Sequence, residues 1–470
     1  MRINEWRREL LAVVVLALGA WAGQAGASGF QLTEQNASGL GNAYAGQAAA
    51  AEDASTIFFN PAGLTRIPGV QLVGAANFVI LDTHFHDHGS KPASLVAPLG
   101  GEDGNGGGLS VVPSGYVSWE AWHDTAWVGV GVNVPFGLTT EWDNGWMGRF
   151  HALKSDIKTV NVNPTVAWKL SDWLSIGAGA NWQWITAELS NAVSYSTLLA
   201  GVNPAALPAL AGCPGASLTG AGCEGVATVK ADTRSWGWNA GAMLSLPTNT
   251  RIGASYRSAI THNLEGHVTF SNRPQPTGIP AIDPVIAAIN GAVPDGGVRA
   301  TIKFPDTASV AVSQQIGSSL QLLADYTWTG WSAISNLSIY RTSGVGLAST
   351  PLAFKNSWRV GLGANYQLND MWKVRGGFAY DKTPVQDAFR TPRLPAQDRT
   401  WLAGGAQWAF SRQGAIDVGL AYLFVKNASS NLPSIDPSQP PGFTPTPKGT
   451  LVGEYTANVW IASAQARYSF

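Results

Sequence analysis

Apolar and polar residues alternate along much of the chain. In the stretch TVNVNPTVAWKL, residues 159–170, the even positions hold Val, Pro, Trp or Leu, and the odd positions hold Thr, Asn, Ala or Lys. The stretches WLSIGAGANWQWI (173–185) and GAIDVGLAYLF (414–424) repeat this pattern. Because successive side chains of a strand point to opposite faces, each stretch is predicted to be a β-strand with one apolar and one polar face.

About fourteen such segments follow one another, and the connections between them are alternately short and long. Short turns joined alternately with long loops, around an even number of strands, are typical of outer-membrane barrels. We therefore predict an all-β membrane protein, an antiparallel transmembrane β-barrel of about fourteen strands over residues 70–470. A soluble β-sandwich, the alternative, gives no reason for such regular alternation. The segments begin near residues 70, 109, 126, 157, 173, 234, 250, 301, 320, 354, 371, 400, 414 and 458.

Tryptophans lie towards the ends of these segments, where the aromatic girdles of a barrel meet the two membrane surfaces. The final segment, NVWIASAQARYSF, puts Trp460, Tyr468 and Phe470 on its apolar face and ends on an aromatic residue, as outer-membrane proteins do. The tryptophans predicted to form the girdles are Trp119, Trp122, Trp142, Trp146, Trp328, Trp331 and Trp401.

The composition agrees with a chain that has one face in lipid. Charged residues make up only 13% of the sequence, against roughly 25% in soluble domains. The net charge of −1 excludes a polybasic nucleic-acid-binding protein. In HFHDHG, three histidines (84, 86 and 88) share one face; an exposed outer loop explains them better than metal capture, and we predict neither a metal site nor a cofactor.

Residues 1–27 are predicted to be a signal peptide. Arginines 2, 7 and 8 precede the apolar run LLAVVVLALGAWAG, and AGA at 25–27 supplies the small residues of a cleavage site. An uncleaved anchor is the alternative, but the run is short for a spanning helix. In an exported protein, Cys213 and Cys223, which lie in a turn-rich loop, are predicted to form a disulfide, with two free thiols as the alternative.

Residues 28–69 lie between the signal peptide and the first strand and form neither a strand nor a long helix. The stretch TIFFNPAGLTRIPG (56–69) is apolar, and Asn60-Pro61-Ala62 interrupts it. A barrel of this size has an interior too wide for its own side chains to fill. We therefore predict that this segment folds into the lumen as a plug, with a disordered periplasmic tail as the alternative.

The order of several motifs resembles the FadL-type family of outer-membrane transporters. SGFQLTEQNASGLGNAYAG followed by NPA is similar to the family's N-terminus, and similarity continues to the end of the chain in SYRSAI, FPDTASVAV, ADYTWTGWSAI, AFKNSWRVGLG and RGGFAYDKTPV. The resemblance implies a fourteen-stranded barrel with an N-terminal hatch. It also implies uptake of hydrophobic molecules, either long-chain fatty acids or aromatic hydrocarbons.

The resemblance also implies a path for the ligand. Ligand is captured in a groove between two long outer loops and leaves sideways through a gap at a kinked third strand. In TAWVGVGVNVPFGLTTEW, the even positions from Val128 to Leu138 are predicted to face lipid, and Pro135, Phe136 and Gly137 are predicted to mark the kink. The outer groove is predicted to be lined by Trp142, Trp146, Met147, Phe150, Leu198, Leu199, Leu207 and Leu210.

A fatty acid needs a partner for its carboxylate, since an unpaired charge in an apolar cavity is costly. Strand alternation places Lys355 and Arg359 in the lumen of strand ten, and AFKNSW resembles a family stretch whose lysine helps to bind the head group. Lys355 and Arg359 are therefore predicted to bind it. Other cations that point inward by parity, such as Arg257 and Arg375, are predicted to pair with acids and hold the plug. The family's fatty-acid members also use an arginine on strand five, which NWQWITAELSN lacks, so an uncharged hydrocarbon stays open as the substrate.

We predict a passive transporter for hydrophobic compounds in the outer membrane of a Gram-negative bacterium. Its expected partners are a long-chain fatty acid or another hydrophobic small molecule, outer-membrane lipid and lipopolysaccharide, and the barrel is expected to be a monomer. An outer-membrane lipid enzyme is less consistent with a sequence that has no G-x-S-x-G. An open hydrophilic porin is less consistent with a plug.

Overall fold

A computed structural model of the protein describes residues 29–93, 99–101, 103–202, 223–435, 437, 440–443 and 447–470. The predicted signal peptide, residues 1–27, lies outside them. In this part of the chain, twenty strand segments join into one antiparallel sheet, which closes where the first strand pairs with the last from Gln71↔Ser469 to Asp87↔Gly453.

The strand segments are β1 (Val70–Asp87), β2 (Gly108–Trp122), β3 (Ala126–Asn133), β4 (Gly137–Glu141), β5 (Lys154–Lys169), β6 (Leu174–Ser194), β7 (Glu224–Ser245), β8 (Thr250–Arg257), β9 (Ile260–Phe270), β10 (Gly296–Phe304), β11 (Thr307–Ile316), β12 (Leu320–Thr329), β13 (Asn336–Arg341), β14 (Gly346–Pro351), β15 (Ser357–Gln367), β16 (Trp372–Asp381), β17 (Arg399–Ala409), β18 (Gly414–Val425), β19 (Ala428–Leu432) and β20 (Leu451–Ser469).

Six pairs of consecutive segments each continue one barrel strand across a break, so the described residues form a barrel of fourteen strands. The third barrel strand is β3 with β4, the seventh is β8 with β9, and the tenth is β14 with β15. This confirms the prediction of a fourteen-stranded antiparallel barrel. The largest differences from the predicted starts are at β7, which begins at residue 224, and at β14, which begins at 346.

Period-two patterning fixes the two faces of the wall. On β5, Val160 and Trp168 are exposed, whereas Asn161 and Asn163 are buried in the lumen. On β20, Trp460, Tyr468 and Phe470 face outward as predicted. Of the predicted girdle tryptophans, Trp119 and Trp122 are exposed, but Trp142, Trp146, Trp331 and Trp401 are buried, so the girdle assignment was wrong for these four.

The N-terminal segment, residues 29–69, lies inside the barrel and contacts strands around its circumference. It contains three single-turn helices, α1 (Ala37–Leu40), α2 (Gln47–Ala50) and α3 (Thr56–Phe59), and a 3-10 helix, Pro61–Arg66. Two further α-helices of the described residues, α4 (Tyr195–Val202) and α5 (Asp283–Ala292), follow β6 and β9, and two short 3-10 helices span Trp331–Ala333 and Asp387–Phe389. Among the described residues, no helix has both the length and the hydropathy to cross a membrane.

Candidate functional site

Asn60 fastens the N-terminal segment to the wall. Its side-chain NH2 group donates to the carbonyl oxygens of Ala48 (2.7 Å) and Ala242 (3.0 Å), and its side-chain oxygen Oδ1 accepts from the N–H of Ala62 (3.1 Å). Asn60 therefore caps the 3-10 helix and satisfies backbone groups that no ladder reaches. Glycine at 177 on β6 permits this approach, because a Cβ there would lie 2.6 Å from the backbone nitrogen of Ala62.

Ion pairs add a second attachment on the opposite side of the lumen. Glu52 lies 2.8 Å from the guanidinium of Arg375 and 3.4 Å from the ammonium of Lys373, and Arg375 also pairs with Asp417 at 2.7 Å. The Arg375 and Asp417 side chains are wholly buried. Each charge has an opposite partner, which a buried ion needs. The prediction that Arg375 pairs with acids and holds the N-terminal segment agrees with these contacts.

The third barrel strand carries one extra residue at its break. From Asn133 to Gly137 the strand advances four residues, while its partner on β5 advances only three, from Asn161 to Lys158. One extra residue reverses which side chains face inward. Leu138 therefore shares a face with lumenal Ile157. The prediction that Val134, Phe136 and Leu138 face lipid was wrong, because all three are buried inside the barrel.

This break leaves a gap in the wall. The ladder between the second and third barrel strands runs from Trp122↔Ala126 only to Gly115↔Val132. Beyond it, residues 108–114 of β2 pair with β1 alone among the described strands. The gap therefore lies beside Pro135, Phe136 and Gly137, the three residues that the sequence analysis assigned to the kink.

The start of the N-terminal segment closes this gap. Leu32 N–H donates to the carbonyl of Pro135 (2.8 Å), and Gly137 N–H donates to the carbonyl of Phe30 (2.9 Å), which forms a short antiparallel bridge. Phe136 packs with Phe30 and Phe304, at ring-centroid distances of 6.0 and 4.5 Å. The aromatic side chain at the kink is thus part of an internal cluster.

Gln35 spans the gap from one edge to the other. Its side-chain amide donates to the carbonyl of Val134 (2.8 Å) and accepts from the N–H of the same residue (3.3 Å), as a neighbouring strand would. Its backbone carbonyl accepts from the hydroxyls of Ser114 (2.7 Å) and Tyr116 (3.1 Å) on β2. The sequence did not indicate this role of Gln35. Only the register of the assembled wall shows that the N–H and the carbonyl of Val134 have no neighbouring strand to bond with on this side.

Next to this closure, a cavity of about 100 Å³ separates the N-terminal segment from the wall. Its lining combines apolar groups with hydroxyls and charged groups. The apolar lining includes Leu32, Phe58 and Phe59, and the charged lining is Arg257, Asp325, Arg359 and Asp381.

The two predicted head-group residues differ in their surroundings. Arg359 is buried, pairs with Asp325 at 3.3 Å and donates to the carbonyl of Ala43, so it holds the N-terminal segment. Lys355 is exposed at the break between β14 and β15, beside buried Phe354, and it does not line the cavity. Its role with a head group stays a prediction.

Three of the predicted groove residues, Trp142, Trp146 and Phe150, belong to a buried cluster. The Trp142 and Trp146 rings stack at 4.3 Å, and both residues and Phe150 are almost fully buried. Met147 and Leu198 are half-buried. In this structure these residues therefore do not form an open groove, and capture by them stays a prediction. The side chain of Leu199, and residues Leu207, Leu210 and Cys213, lie outside what the structure describes, while Cys223 is disulfide-bonded.

His151 joins two outer loops. Its Nε2 lies 2.9 Å from the carbonyl oxygen of Gly449, so the neutral ring donates there. Burial, together with the charges of Lys448 and Arg393, lowers the pKa of His151 to about 3. The three histidines at 84, 86 and 88 are exposed, and within the described ranges no group of His, Cys, Asp and Glu has the arrangement of a metal site.

Comparison with known proteins places this geometry among transporters. Residues 18–470 match the family described as "Outer membrane protein transport protein (OMPP1/FadL/TodX)". The chain is 28% identical over 429 residues to a long-chain fatty acid transport protein of Salmonella typhi, covering 90% of this chain and 92% of the relative. It superposes on the crystal structure of a Pseudomonas aeruginosa FadL homologue with a TM-score of 0.80 and 25% identity, over 94% of this chain and all of the other. The fold is shared with the Ralstonia pickettii toluene transporter TbuX, with a TM-score of 0.63 and 19% identity, over 94% of this chain and 99% of the other.

Proposed function

Since the chain belongs to the OMPP1/FadL/TodX family of outer-membrane transport proteins, we propose that its substrate is a long-chain fatty acid, released sideways into the membrane at the third strand. Membership of the family makes the protein a Gram-negative outer-membrane transporter of hydrophobic compounds.

The observation that carries the proposal is the cavity beside the closed gap, whose lining combines apolar side chains with arginines. Leu32, Phe58 and Phe59 in its lining suit an acyl chain, and an arginine in the same lining suits a carboxylate. A neutral hydrocarbon would leave that charge without a ligand partner. The Salmonella relative, named for long-chain fatty acid transport, agrees with this substrate class.

The path we propose starts at the outer loops, where exposed Lys355 and the loop that holds Met147 meet the incoming amphiphile. It continues through the cavity and ends at the gap beside Pro135 and Gly137. Exit requires the start of the N-terminal segment to leave the third strand, which breaks two backbone hydrogen bonds and the contacts of Gln35. No energy source is needed, because the compound moves down its own gradient.

An aromatic hydrocarbon is the second candidate. The barrel shares its fold with a toluene transporter, and its fifth strand, β6, has no arginine between Trp182 and Asn191. With this substrate, the arginines of the cavity would only hold the N-terminal segment in place.

Uptake separates the two candidates. A strain without its own transporters of this family, expressing this protein, would be given labelled oleate and, separately, labelled toluene. We expect oleate uptake well above the empty vector and little gain for toluene. Toluene uptake without oleate uptake would refute the fatty-acid proposal and establish the hydrocarbon channel.

A further inference from the structure

We propose that Arg257 is the residue that binds the substrate carboxylate, and that the cavity accepts a monoanionic head group with an apolar tail. This inference rests on the proposed function, in which the transported compound is a fatty acid. In this proposal Arg257, and not Arg359, is the head-group residue inside the cavity. Lys355 stays at the outer end of the path.

The charges that line the cavity leave Arg257 uncompensated. Asp325 lies 3.3 Å from Arg359, and Asp381 lies 3.2 Å from the guanidinium of Arg399 just behind the lining. Among the described residues, no carboxylate lies within 4 Å of the Arg257 guanidinium. Because the other three charges of the lining each have an ionic partner, Arg257 supplies the cavity's uncompensated positive charge.

Neutral groups hold Arg257 in place. One guanidinium nitrogen donates to the side-chain oxygen of Asn181, and another donates to the carbonyl of Phe58 at 3.0 Å. The guanidinium carbon lies 4.5 Å from the centre of the Phe58 ring. These contacts fix the orientation of the guanidinium without neutralising it. A carboxylate that entered the cavity would add the charge-assisted, bidentate pair that this group favours.

The wall beside Arg257 is polar but uncharged. Besides the Arg257 guanidinium, the side chain of Asn181 makes its hydrogen bonds with other asparagine side chains in this row. Its NH2 group donates to the side-chain oxygen of Asn239 at 2.9 Å, and its oxygen accepts from the NH2 group of Asn161 at 3.0 Å. Asn161 in turn donates to Asn133 at 3.1 Å. All four asparagines are buried. An aspartate at any of these positions next to the arginine would compensate its charge permanently, so amides in this row keep the cation available.

The same surroundings restrict the ligand. Phe58 and Phe59 offer an apolar surface directly beside Arg257, which suits a methylene chain attached to the head group. Asp325 and Asp381 line the same cavity and already take up its other arginine charges, so the cavity has one uncompensated cation, which matches a ligand with one negative charge. A monocarboxylate therefore fits this site better than a phosphate dianion.

Binding by the purified full-length barrel tests this assignment. Oleate and methyl oleate would each displace a fluorescent fatty acid from the wild type and from Arg257→Gln, Arg257→Lys and Arg251→Gln. Arg251 is a matched control, because it lies on β8 with the same parity but outside the cavity lining. For Arg257→Gln, we expect oleate affinity to fall about tenfold or more, with methyl oleate affinity unchanged. Arg257→Lys should keep most of the oleate affinity, and Arg251→Gln all of it.

Wild-type oleate affinity in Arg257→Gln, or an equal loss for acid and ester, would overturn the assignment. Asn181→Asp serves if the glutamine variant does not fold: the new carboxylate should compete with oleate and spare methyl oleate, and an unchanged oleate affinity would also overturn it. The proposed function fails separately, if the wild type takes up no oleate. Oleate transport that is indifferent to Arg257 refutes only this inference.

Discussion

His151 holds two outer loops together through an uncharged ring. Its folded-state pKa is about 3, below the value of about 6.5 expected in an unfolded loop. The open loop therefore binds a proton more readily than the closed loop, so the closed state is fully stable above pH 6.5 and loses stability as the pH falls towards 3. At pH 5 the loss is about 2 kcal/mol, from about 1.4 kcal/mol per pH unit.

We expect the loop around His151 to open at least tenfold more often at pH 5 than at pH 7. Amide hydrogen exchange, corrected for its intrinsic pH dependence, would measure this opening. His151→Gln can still donate to Gly449 and does not titrate, so its loop should open equally at both values. A wild-type pH response that persists in the variant would mean that a group other than His151 causes it.

The sequence predicted the role of a residue only where that role depends on which face of a strand the side chain occupies, which the alternation of side chains along the strand decides. Parity placed Arg257 and Arg375 in the lumen, and both point there. It did not distinguish the arginine that pairs with Glu52 from the one without an acid, because the partners come from strands and segments distant in sequence. Gln35 was missed for the same reason: it replaces a strand whose absence only the assembled wall reveals.

The third barrel strand shows how one residue changes the role of a whole element. Alternation of apolar side chains predicted the strand and Pro135 and Gly137 predicted its break, but the extra residue turned Phe136 and Leu138 inward. The sequence does not show the extra residue, since it exists only relative to the register of β5. On β5 and β20 the predicted faces are the observed ones.

A reversible cross-link at this strand tests sideways release. Gln31 and Phe136 are bridge partners whose flanking residues make the hydrogen bonds, so their Cα atoms form a close pair of the kind that accepts a disulfide. In the double variant Gln31→Cys/Phe136→Cys, we expect oxidation to stop oleate uptake and reductant to restore it. Wild type treated with reductant controls for the native disulfide at Cys223.

Oleate binding separates closure of the exit from damage to the site. The oxidised double variant should bind oleate as well as the reduced double variant does, because the cross-link leaves Arg257 untouched. Comparing the two forms of one variant accounts for the loss of Gln31, which lines the cavity. Uptake that continues after complete oxidation would place the exit somewhere other than the third strand. The single variant Phe136→Cys shows how much of any loss comes from removing the aromatic ring.

At the scale of the whole molecule, the wall and the N-terminal segment depend on each other unequally. The wall closes through its own ladder, with β1 paired to β20 along seventeen registers, and each barrel strand has hydrogen bonds to two neighbours over most of its length. The N-terminal segment, in contrast, relies on wall groups such as Ala242, Arg375 and Pro135 for its own buried polar atoms. The barrel should therefore fold without the segment, whereas the segment has no structure without the barrel.

Deleting residues 29–66 tests this asymmetry. We expect a barrel that still inserts and still migrates faster on a gel before heating than after it, since the wall ladder is intact. It should unfold at a lower temperature, because Arg375 loses Glu52 and buried wall polar groups lose their partners.

In planar bilayers the deletion variant should conduct ions steadily, because a barrel of this width is open unless something fills it. Glu52→Gln, which removes one attachment but leaves the segment in place, should stay closed. A deletion variant that inserts but does not conduct would mean that the outer loops seal the lumen, and a variant that fails to insert would mean that the segment is needed to build the wall.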